Sequence, residues 1–345
     1  MSSKLRLTLL AAAACAAAAP TAAQAADVVD QPVAFTVQNV NRSKLPCAVD
    51  GRTYTVRGHL TGTAAAIASG KVTLYLHGLG LGEFFWRFRT VKGYDFTRAL
   101  ATSGHASVTI DRLGYRASGK PQGNASCIGA QADIAHQIIQ ALKGGTYDGT
   151  TAPKFADVGL VGHSAGGLIT QVEAYSFGDA KAIGVLAYAD QGISTFQLGA
   201  AGSATTVCRG GGQPVNATGP RGYALLGQTP AVGRRAFFAS APASVVKATL
   251  PLLTRNPCGD LTSYAGAPPF DKTLVPTITA PVLLVQAGAD KLFPQPSVSD
   301  QRARFSGSSS VTYKQLPGTG HAVTLERSRK TLQSTVATFL AANGL

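Results

Sequence analysis

The sequence predicts an α/β fold in which helices flank a mostly parallel central sheet. Short apolar runs of four or five residues recur along the chain, as in strands that are buried on both faces of a parallel sheet. Helical patterns, whose apolar residues form a single stripe, lie between some of these runs. One stretch of about 80 residues, from Ile193 to Val275, interrupts the alternation. It indicates an insertion into the sheet.

Eight strands are expected, in the following order. The first two, Val33–Val40 and Tyr54–Leu60, alternate polar and apolar residues enough to be half-buried, and a loop that contains Cys47 joins them. Lys71–Leu76 is the third strand. The remaining five runs are Ala106–Ile110, Val158–Val161, Ile183–Ala187, Val282–Gln286 and Val311–Leu316.

Two helices are marked by their periodicity. Ile128–Leu142 places its apolar side chains on one stripe between the fourth and fifth strands. Leu325–Leu340 has a second stripe and closes the chain. Helices between parallel strands are what a right-handed crossover requires.

The insertion, residues 193–275, lies between the sixth and seventh strands and is interpreted as a cap. A structureless loop of this length is not expected in a compact domain, so we predict helices around Arg234–Ala239 and Ala243–Leu253. The core of the domain would then comprise residues 26–192 and 276–345. The predicted cap contains four large apolar residues: Phe237, Phe238, Leu250 and Leu253. Two interpretations are equally open, that they line a substrate pocket or that they pack the cap onto the sheet.

Residues 1–25 have the pattern of a secretory signal peptide. Two basic residues precede the apolar run Leu7–Ala19, and small residues end at Ala25, where cleavage is expected. The run is 13 residues long, too short to span a bilayer as a helix. We therefore expect a secreted protein without a stable membrane anchor. Lipid attachment at Cys15 is the alternative, but Ala12 stands where a leucine would be expected.

Removal of this leader leaves four cysteines: Cys47, Cys127, Cys208 and Cys258. An even number in an exported chain indicates two disulfides, and four cysteines allow three connectivities. We favour 47–127 with 208–258, because the second bond would close the cap onto itself. Four buried thiols are the alternative.

The composition excludes several classes of protein. With 45% hydrophobic and 14% charged residues, the chain is too apolar to be disordered. Its formal charge is +14, but the basic residues are scattered, so we predict a solvated cationic surface rather than a nucleic-acid partner. No zinc-ligand spacing or nucleotide fingerprint occurs, so neither a metal nor a cofactor is predicted. The oligomeric state is not indicated.

The segment Gly162–Gly166, with the sequence GHSAG, carries the main chemical signal. It follows the strand Val158–Val161 and precedes the helix-compatible stretch Leu168–Tyr175, which is the context that a nucleophilic serine on a sharp turn requires. Glycines are needed at both ends because side chains there would collide with the crossing strand and helix. Ser164 is therefore the candidate nucleophile.

A serine hydroxyl needs a base, and the base needs an acid that orients it. His321 follows the last strand on a glycine-rich loop and is the candidate base. Asp290 follows the strand Val282–Gln286 and is the candidate acid, with Asp190, one strand earlier, as the alternative. His163 lies inside the serine turn, where its side chain is expected to point away from the reaction.

The segment His77-Gly78-Leu79-Gly80 follows the third strand and is a candidate for the oxyanion hole. A glycine-rich loop there can turn the N–H of Leu79 towards the nucleophile, beside the N–H of Ala165. His77 is more naturally a hydrogen-bonding residue of this loop than a base.

With these motifs in this order, the chain from about residue 71 to 345 resembles the α/β-hydrolase superfamily. The segments that support the resemblance are His77-Gly78, Asp111–Tyr115, Gly162–Gly166, Gly288–Asp290 and Gly320-His321. The resemblance implies an α/β-hydrolase fold with a cap. It also implies Ser164 as nucleophile, His321 as base, Asp290 as acid, and Leu79 and Ala165 as oxyanion donors.

The expected function is that of a secreted serine esterase or lipase-like enzyme, acting on a hydrophobic ester through an acyl-enzyme. A serine at the nucleophile position disfavours dehalogenase and epoxide-hydrolase chemistry, which needs a carboxylate there. An acyltransferase or a serine peptidase with the same triad stays open. A non-catalytic binding protein on this scaffold is the alternative from another class.

Overall fold

The structure is a computed structural model that describes residues 27–226 and 229–345. The predicted signal peptide, residues 1–25, lies outside the described residues. Within the described ranges, no helix is long and apolar enough to cross a membrane.

Eleven strands are present in the described chain: β1 (Val28–Gln38), β2 (Thr53–Thr63), β3 (Lys71–Leu76), β4 (Ser107–Asp111), β5 (Asp148–Gly149), β6 (Asp157–His163), β7 (Ile183–Leu186), β8 (Tyr223–Ala224), β9 (Asn256–Pro257), β10 (Val282–Ala287) and β11 (Val311–Leu316). Nine of them form one sheet in the order β11-β10-β7-β6-β3-β4-β2-β1-β5, while β8 and β9 pair separately. The six strands from β11 to β4 are parallel, and β2, β1 and β5 are antiparallel. This confirms the predicted fold class.

The helices of the described chain are α1 (Ala64–Ala68), α2 (Phe96–Thr102), α3 (Ile128–Gly144), α4 (Ala165–Ser176), α5 (Thr195–Arg209), α6 (Pro230–Phe237), α7 (Ala243–Thr249), α8 (Cys258–Gly266), α9 (Pro268–Leu274), α10 (Ser297–Gln301) and α11 (Arg329–Ala342). Short 3₁₀ turns connect several of them. In the rest of the domain, outside the segment between β7 and β10, α3 packs against α4, and α2 packs against α11.

The predicted count of eight strands is one too low. The ninth strand of the sheet, β5, has only two residues, both exposed, and pairs with β1 at the sheet edge. Two exposed polar or glycine residues carry no apolar pattern, so nothing in the sequence marks them as a strand. The eight predicted runs all correspond to strands, and β10 is buried along its whole length, as a strand covered on both faces requires.

The chain between β7 and β10 contains helices α5 to α9 and the β8–β9 pair. A disulfide joins Cys208, in α5, to Cys258, the first residue of α8. The second disulfide joins Cys47, in the loop between β1 and β2, to Cys127, which precedes α3. These are the two bonds that the sequence favours.

The topology brings the candidate residues to one edge of the sheet. The carboxyl ends of parallel strands share an edge, and this is where ligands bind in α/β sheets. His77–Gly80 follows β3, and Ser164 follows β6. Asp190, Asp290 and His321 come after β7, β10 and β11, respectively.

Candidate active site

Ser164 occupies a strained turn between β6 and α4. Its backbone angles are φ 55° and ψ −122°, a conformation that side-chain-bearing residues rarely adopt and that surrounding structure must enforce. The Ser164 N–H donates to the backbone oxygen of Leu186 at 2.9 Å, and the N–H of Gly167 donates to the Ser164 oxygen at 2.7 Å. These bonds hold the serine at the start of α4.

The glycines on either side of the serine are required by contact. A Cβ at position 162 would lie 1.9 Å from the backbone oxygen of Gly166, and a Cβ at position 166 would lie 2.3 Å from that of Leu76. A Cβ at position 78 would come within 2.9 Å of the Ser164 Cβ. The end of β6, the start of α4 and the loop after β3 therefore lie so close together at Ser164 that only glycine fits at these three positions.

His321 and Asp290 form a buried hydrogen-bonded pair. The His321 Nδ1 lies 2.7 Å from the Asp290 Oδ2. The other Asp290 oxygen accepts from the backbone N–H groups of Leu292 and Phe293, at 2.7 and 3.2 Å. This arrangement places the proton on Nδ1 and leaves Nε2 as an acceptor. Nε2 has no hydrogen-bond partner among the described residues, Ser164 included.

His163 links the serine turn to the histidine loop. Its Nε2 lies 2.8 Å from the backbone oxygen of His321, and the two rings are 4.7 Å apart. Burial lowers the pKa of His163 well below its usual range, so the ring is neutral and Nε2 donates. Phe85 stacks on its other side at 4.3 Å. The sequence predicts that the His163 side chain points away from the reacting position, whereas in the structure its ring packs beside the His321 ring and bonds to the His321 backbone.

The two predicted oxyanion donors, Leu79 and Ala165, are both buried. Ala165 is the first residue of α4, so its N–H has no partner within the helix. The loop that carries Leu79 is fixed at Gly80, which has φ 71°. The Gly80 N–H donates to Asn256 Oδ1 at 2.5 Å, and its oxygen accepts from the Thr254 N–H at 3.0 Å. Two residues of the segment between β7 and β10 therefore hold this loop in position.

His77 bonds within the same loop. Its Nδ1 lies 2.8 Å from the Gly78 oxygen, and its Nε2 accepts from the N–H of Arg112 at 3.1 Å. Burial and the nearby Arg112 guanidinium lower the pKa of His77 well below its usual range. Arg112 also forms a buried ion pair with Asp260 in α8, at 3.0 Å. His77 is thus a neutral hydrogen-bonding residue in a network that joins the loops after β3 and β4 to α8.

Asp190, the alternative acid, has other partners. Its oxygens accept from Gln171 Nε2 at 3.1 Å and Gln301 Nε2 at 2.6 Å. Burial, together with the facing Asp190, raises the pKa of the Asp271 carboxyl well above its usual range. Of the two candidate acids, the structure pairs Asp290 with His321.

A mostly apolar cavity of about 210 Å³ lies beside Gly80. Phe237 lines this cavity, and its ring centroid lies 6.0 Å from that of His321, so one wall residue also packs near the candidate base. Phe238 is absent from the described lining and packs against Phe237 instead, with ring centroids 6.4 Å apart. The remaining lining residues are Leu225, Leu226, Thr229, Pro230, Gly233, Leu250, Leu253 and Thr254.

Two residues that hold the loops around the candidate site have no signal in the sequence. Asn256 is buried, and its amide oxygen accepts from the Gly80 N–H. Glu326 is buried and accepts from the backbone N–H groups of Ala239 and Ser240, at 2.8 and 2.6 Å. Glu326 thereby joins the end of α6 to the chain that follows His321. Neither residue belongs to a periodic pattern, so only the tertiary structure reveals its role.

Comparison with known proteins supports this architecture. The model of the alpha/beta hydrolase family matches residues 74–333. No curated protein sequence matches the chain significantly. Similar solved structures include a monoacylglycerol lipase from Paleococcus ferrophilus, with TM-score 0.59 and 18% identity over 79% of this chain and 95% of that one. A thermophilic esterase from Thermogutta terrifontis has TM-score 0.64 and 17% identity over 90% of this chain and 100% of that one.

An esterase from Exiguobacterium antarcticum is similar to the same degree, with TM-score 0.62 and 18% identity over 85% of this chain and 97% of that one. At such identities the likeness to solved structures concerns the fold. The family match spans most of the chain and includes the serine turn, the Asp290 loop and His321. The chain belongs to the alpha/beta hydrolase family.

Proposed function

We propose that the protein hydrolyses carboxylic esters, with Ser164 as nucleophile, His321 as base and Asp290 as the acid that orients the base. The observation that carries the proposal is the state of His321, which is bonded to Asp290 through Nδ1 and has a free acceptor at Nε2. Its backbone is bonded to the residue that precedes Ser164. The names of the similar solved structures, two esterases and a lipase, support ester chemistry.

The proposed reaction has two stages. The Ser164 Oγ attacks the ester carbonyl carbon while its proton passes to His321 Nε2. The N–H groups of Leu79 and Ala165 stabilise the negative charge on the former carbonyl oxygen. The C–O bond to the alcohol then breaks, and the alcohol takes the proton from Nε2. Water attacks the acyl-enzyme in the same way and releases the acid, while Asp290 stays ionised throughout.

The cavity beside Gly80 favours a hydrophobic substrate group. An apolar cavity of about 150 Å³ is large enough to hold benzene. The cavity here measures about 210 Å³ and is lined by Phe237, Leu250 and Leu253. We therefore propose that it receives a short apolar acyl or alcohol group, and that residues 193–275 act as the cap that closes over it.

We also propose that the protein is secreted. The leader pattern in residues 1–25 and the two disulfides support this, because disulfides persist in oxidising compartments.

The central test is the substitution Ser164→Ala. We expect it to lower kcat on p-nitrophenyl esters by about 10⁶-fold and to abolish covalent labelling by a fluorophosphonate. The matched control is Ser306→Ala, which removes an exposed serine and should leave both readouts unchanged. Labelling of the Ser164→Ala protein at the wild-type level would contradict the assignment. Product transfer to an added alcohol or amine, in excess of hydrolysis, would identify an acyltransferase instead.

A further inference from the structure

A second cluster of chemically active side chains lies outside the candidate active site. It contains His136 in α3, Glu173 in the last turn of α4 and Asp179 in the loop after α4. Each offers one nitrogen or oxygen atom, and these atoms all lie within 4.8 Å of one another. Glu173 stands nine residues after Ser164, which is about 14 Å along the axis of α4. The cluster therefore has no part in the proposed reaction.

Glu173 is the unusual member of this cluster. Its residue is 0% exposed, and neither carboxylate oxygen has a hydrogen-bond partner among the described residues. The Asp179 N–H approaches the carboxylate without completing a hydrogen bond. A buried carboxyl group is stable when it is protonated, paired, hydrogen-bonded or bound to a metal. A bound cation would therefore satisfy both unpartnered oxygens of Glu173 in their ionised form.

Among the described residues, no cationic side chain makes a hydrogen bond to the Glu173 carboxylate. Lys143, on α3, uses its Nζ to donate to the backbone oxygen of Asp179 at 2.9 Å. It makes no hydrogen bond to Glu173. His136 contacts the carboxylate of Asp179 through Nδ1, and its ring stacks on Phe177 at 4.3 Å with an interplanar angle of 14°. The stack limits rotation of the imidazole, whose Nδ1 faces Asp179.

We propose that His136, Glu173 and Asp179 bind one divalent transition-metal ion, for which Zn²⁺ is the best chemical match. Zn²⁺ accepts both imidazole nitrogen and carboxylate oxygen ligands, at distances of about 2.0–2.2 Å. Two ligands of one ion are then at most about 4 Å apart, so side-chain shifts of about 1 Å close the site. His136 and Asp179 are partly exposed, which leaves room for a water ligand.

The backbone adds to the attraction. The carboxyl end of a helix carries partial negative charge and favours a nearby cation. Glu173 lies in the last turn of α4, a helix of 12 residues, and Asp179 comes three residues after that helix ends. The ion would join α3 to the end of α4, and its role would be to stabilise the fold.

The test uses the full mature chain, stripped with EDTA and titrated with Zn²⁺ alone. We expect one equivalent of zinc by calorimetry and by elemental analysis after desalting. At a free zinc concentration about 100 times Kd, Tm should rise by about 5 °C. Absence of stoichiometric binding in the wild type would overturn the proposal, and it would indicate that Glu173 is simply protonated in the folded state.

Variants locate the binding. Glu173→Gln keeps the shape of the side chain and removes its charge, and we expect it to weaken zinc binding by about 100-fold or more. The matched control is His59→Gln, since His59 also contacts a carboxylate, that of Glu83 at 2.9 Å, but lies outside the cluster. It should still bind one equivalent. Unchanged affinity in Glu173→Gln would overturn the assignment. If that variant does not fold, His136→Gln, at a partly exposed position, provides the same comparison.

Discussion

The His163 Nε2 donates a hydrogen bond of 2.8 Å to the backbone oxygen of His321, so the residue before the candidate nucleophile fixes the main chain of the candidate base. The Nδ1 of the same His163 ring has no partner among the described residues. The ring therefore contributes a single directed donor. Because the bond joins the two loops that carry Ser164 and His321, it controls their separation.

Substitution His163→Phe should lower kcat by about 10- to 100-fold and leave KM nearly unchanged. Phenylalanine keeps the ring but removes the donor, and loss of a buried hydrogen bond costs about 1–3 kcal/mol. His163→Gln, which restores an N–H donor, should recover part of kcat. Steady-state kinetics on a p-nitrophenyl ester provides the measurement. Equal activity of the Phe and wild-type proteins would show that the bond does not position His321.

Asp290→Asn should lower kcat by about 10⁴-fold, because an amide no longer holds His321 in the tautomer that leaves Nε2 free. Asp190→Asn is the matched control and should change kcat by less than about tenfold. Asp190 is bonded to Gln171 and Gln301 rather than to His321. The measurement is kcat at constant pH for both variants, with circular dichroism to verify folding. The reverse ranking of the two variants would transfer the acid role to Asp190.

Asn256→Ala should lower kcat by about tenfold through the Leu79 loop. Asn256 is fully buried, and its Oδ1 accepts from the Gly80 N–H, so the alanine variant leaves that N–H unpaired. Asn216→Ala, at an exposed cap position, is the control and should retain wild-type kcat. Single-turnover acylation rates separate this effect from substrate binding. An effect confined to KM would argue against a role for Asn256 in positioning the oxyanion donor.

The raised pKa of Asp271 leads us to expect that the stability of the fold depends on pH. Its folded pKa is raised above the ordinary value of 3.8, so the folded protein keeps a proton that the unfolded chain releases. The free energy of unfolding should therefore fall as the pH rises from about 4 through neutrality, by up to about 1.4 kcal/mol per pH unit.

Asp271→Asn should flatten this slope and raise Tm at pH 8, because the amide is neutral at every pH. The control is Asp148→Asn, which changes an exposed acid in β5 and should leave the slope as it is. Thermal unfolding from pH 5 to pH 8 provides the comparison. Parallel curves for the wild type and Asp271→Asn would contradict the prediction.

The sheet was predictable because strands buried on both faces need continuous apolar runs. Val282–Ala287 shows this, since every residue of β10 is buried. The placement of Ser164, Asp290 and His321 at one edge then follows from the direction of parallel strands. The glycines at 162 and 166 were predictable from the serine-turn motif, in which Gly162 relieves a contact with the Gly166 backbone and Gly166 relieves one with the Leu76 backbone in β3.

The long segment between β7 and β10 was predictable as an interruption of the strand pattern, but its internal structure was not. Helix α5 (Thr195–Arg209) contains two glycines and several β-branched residues, which have low helix propensity, so its sequence does not indicate a helix. Contacts such as Asn256 to Gly80 and Glu326 to Ser240 join residues more than 80 positions apart. Single residues in loops carry no periodicity that would reveal them.

If the proposed reaction is correct, the two hydrogen bonds to Gly80, from Thr254 and Asn256, would link substrate size to reaction rate. Thr254 and Gly80 both line the apolar cavity, and the residue before Gly80 carries a proposed oxyanion donor. A substrate too large for the cavity would displace residues 254–256, and the Leu79 N–H would then no longer point at the proposed oxyanion. Large substrates would then be distinguished by a lower kcat rather than by a higher KM. A mutation that enlarges the cavity would also lower kcat unless Gly80 kept its position.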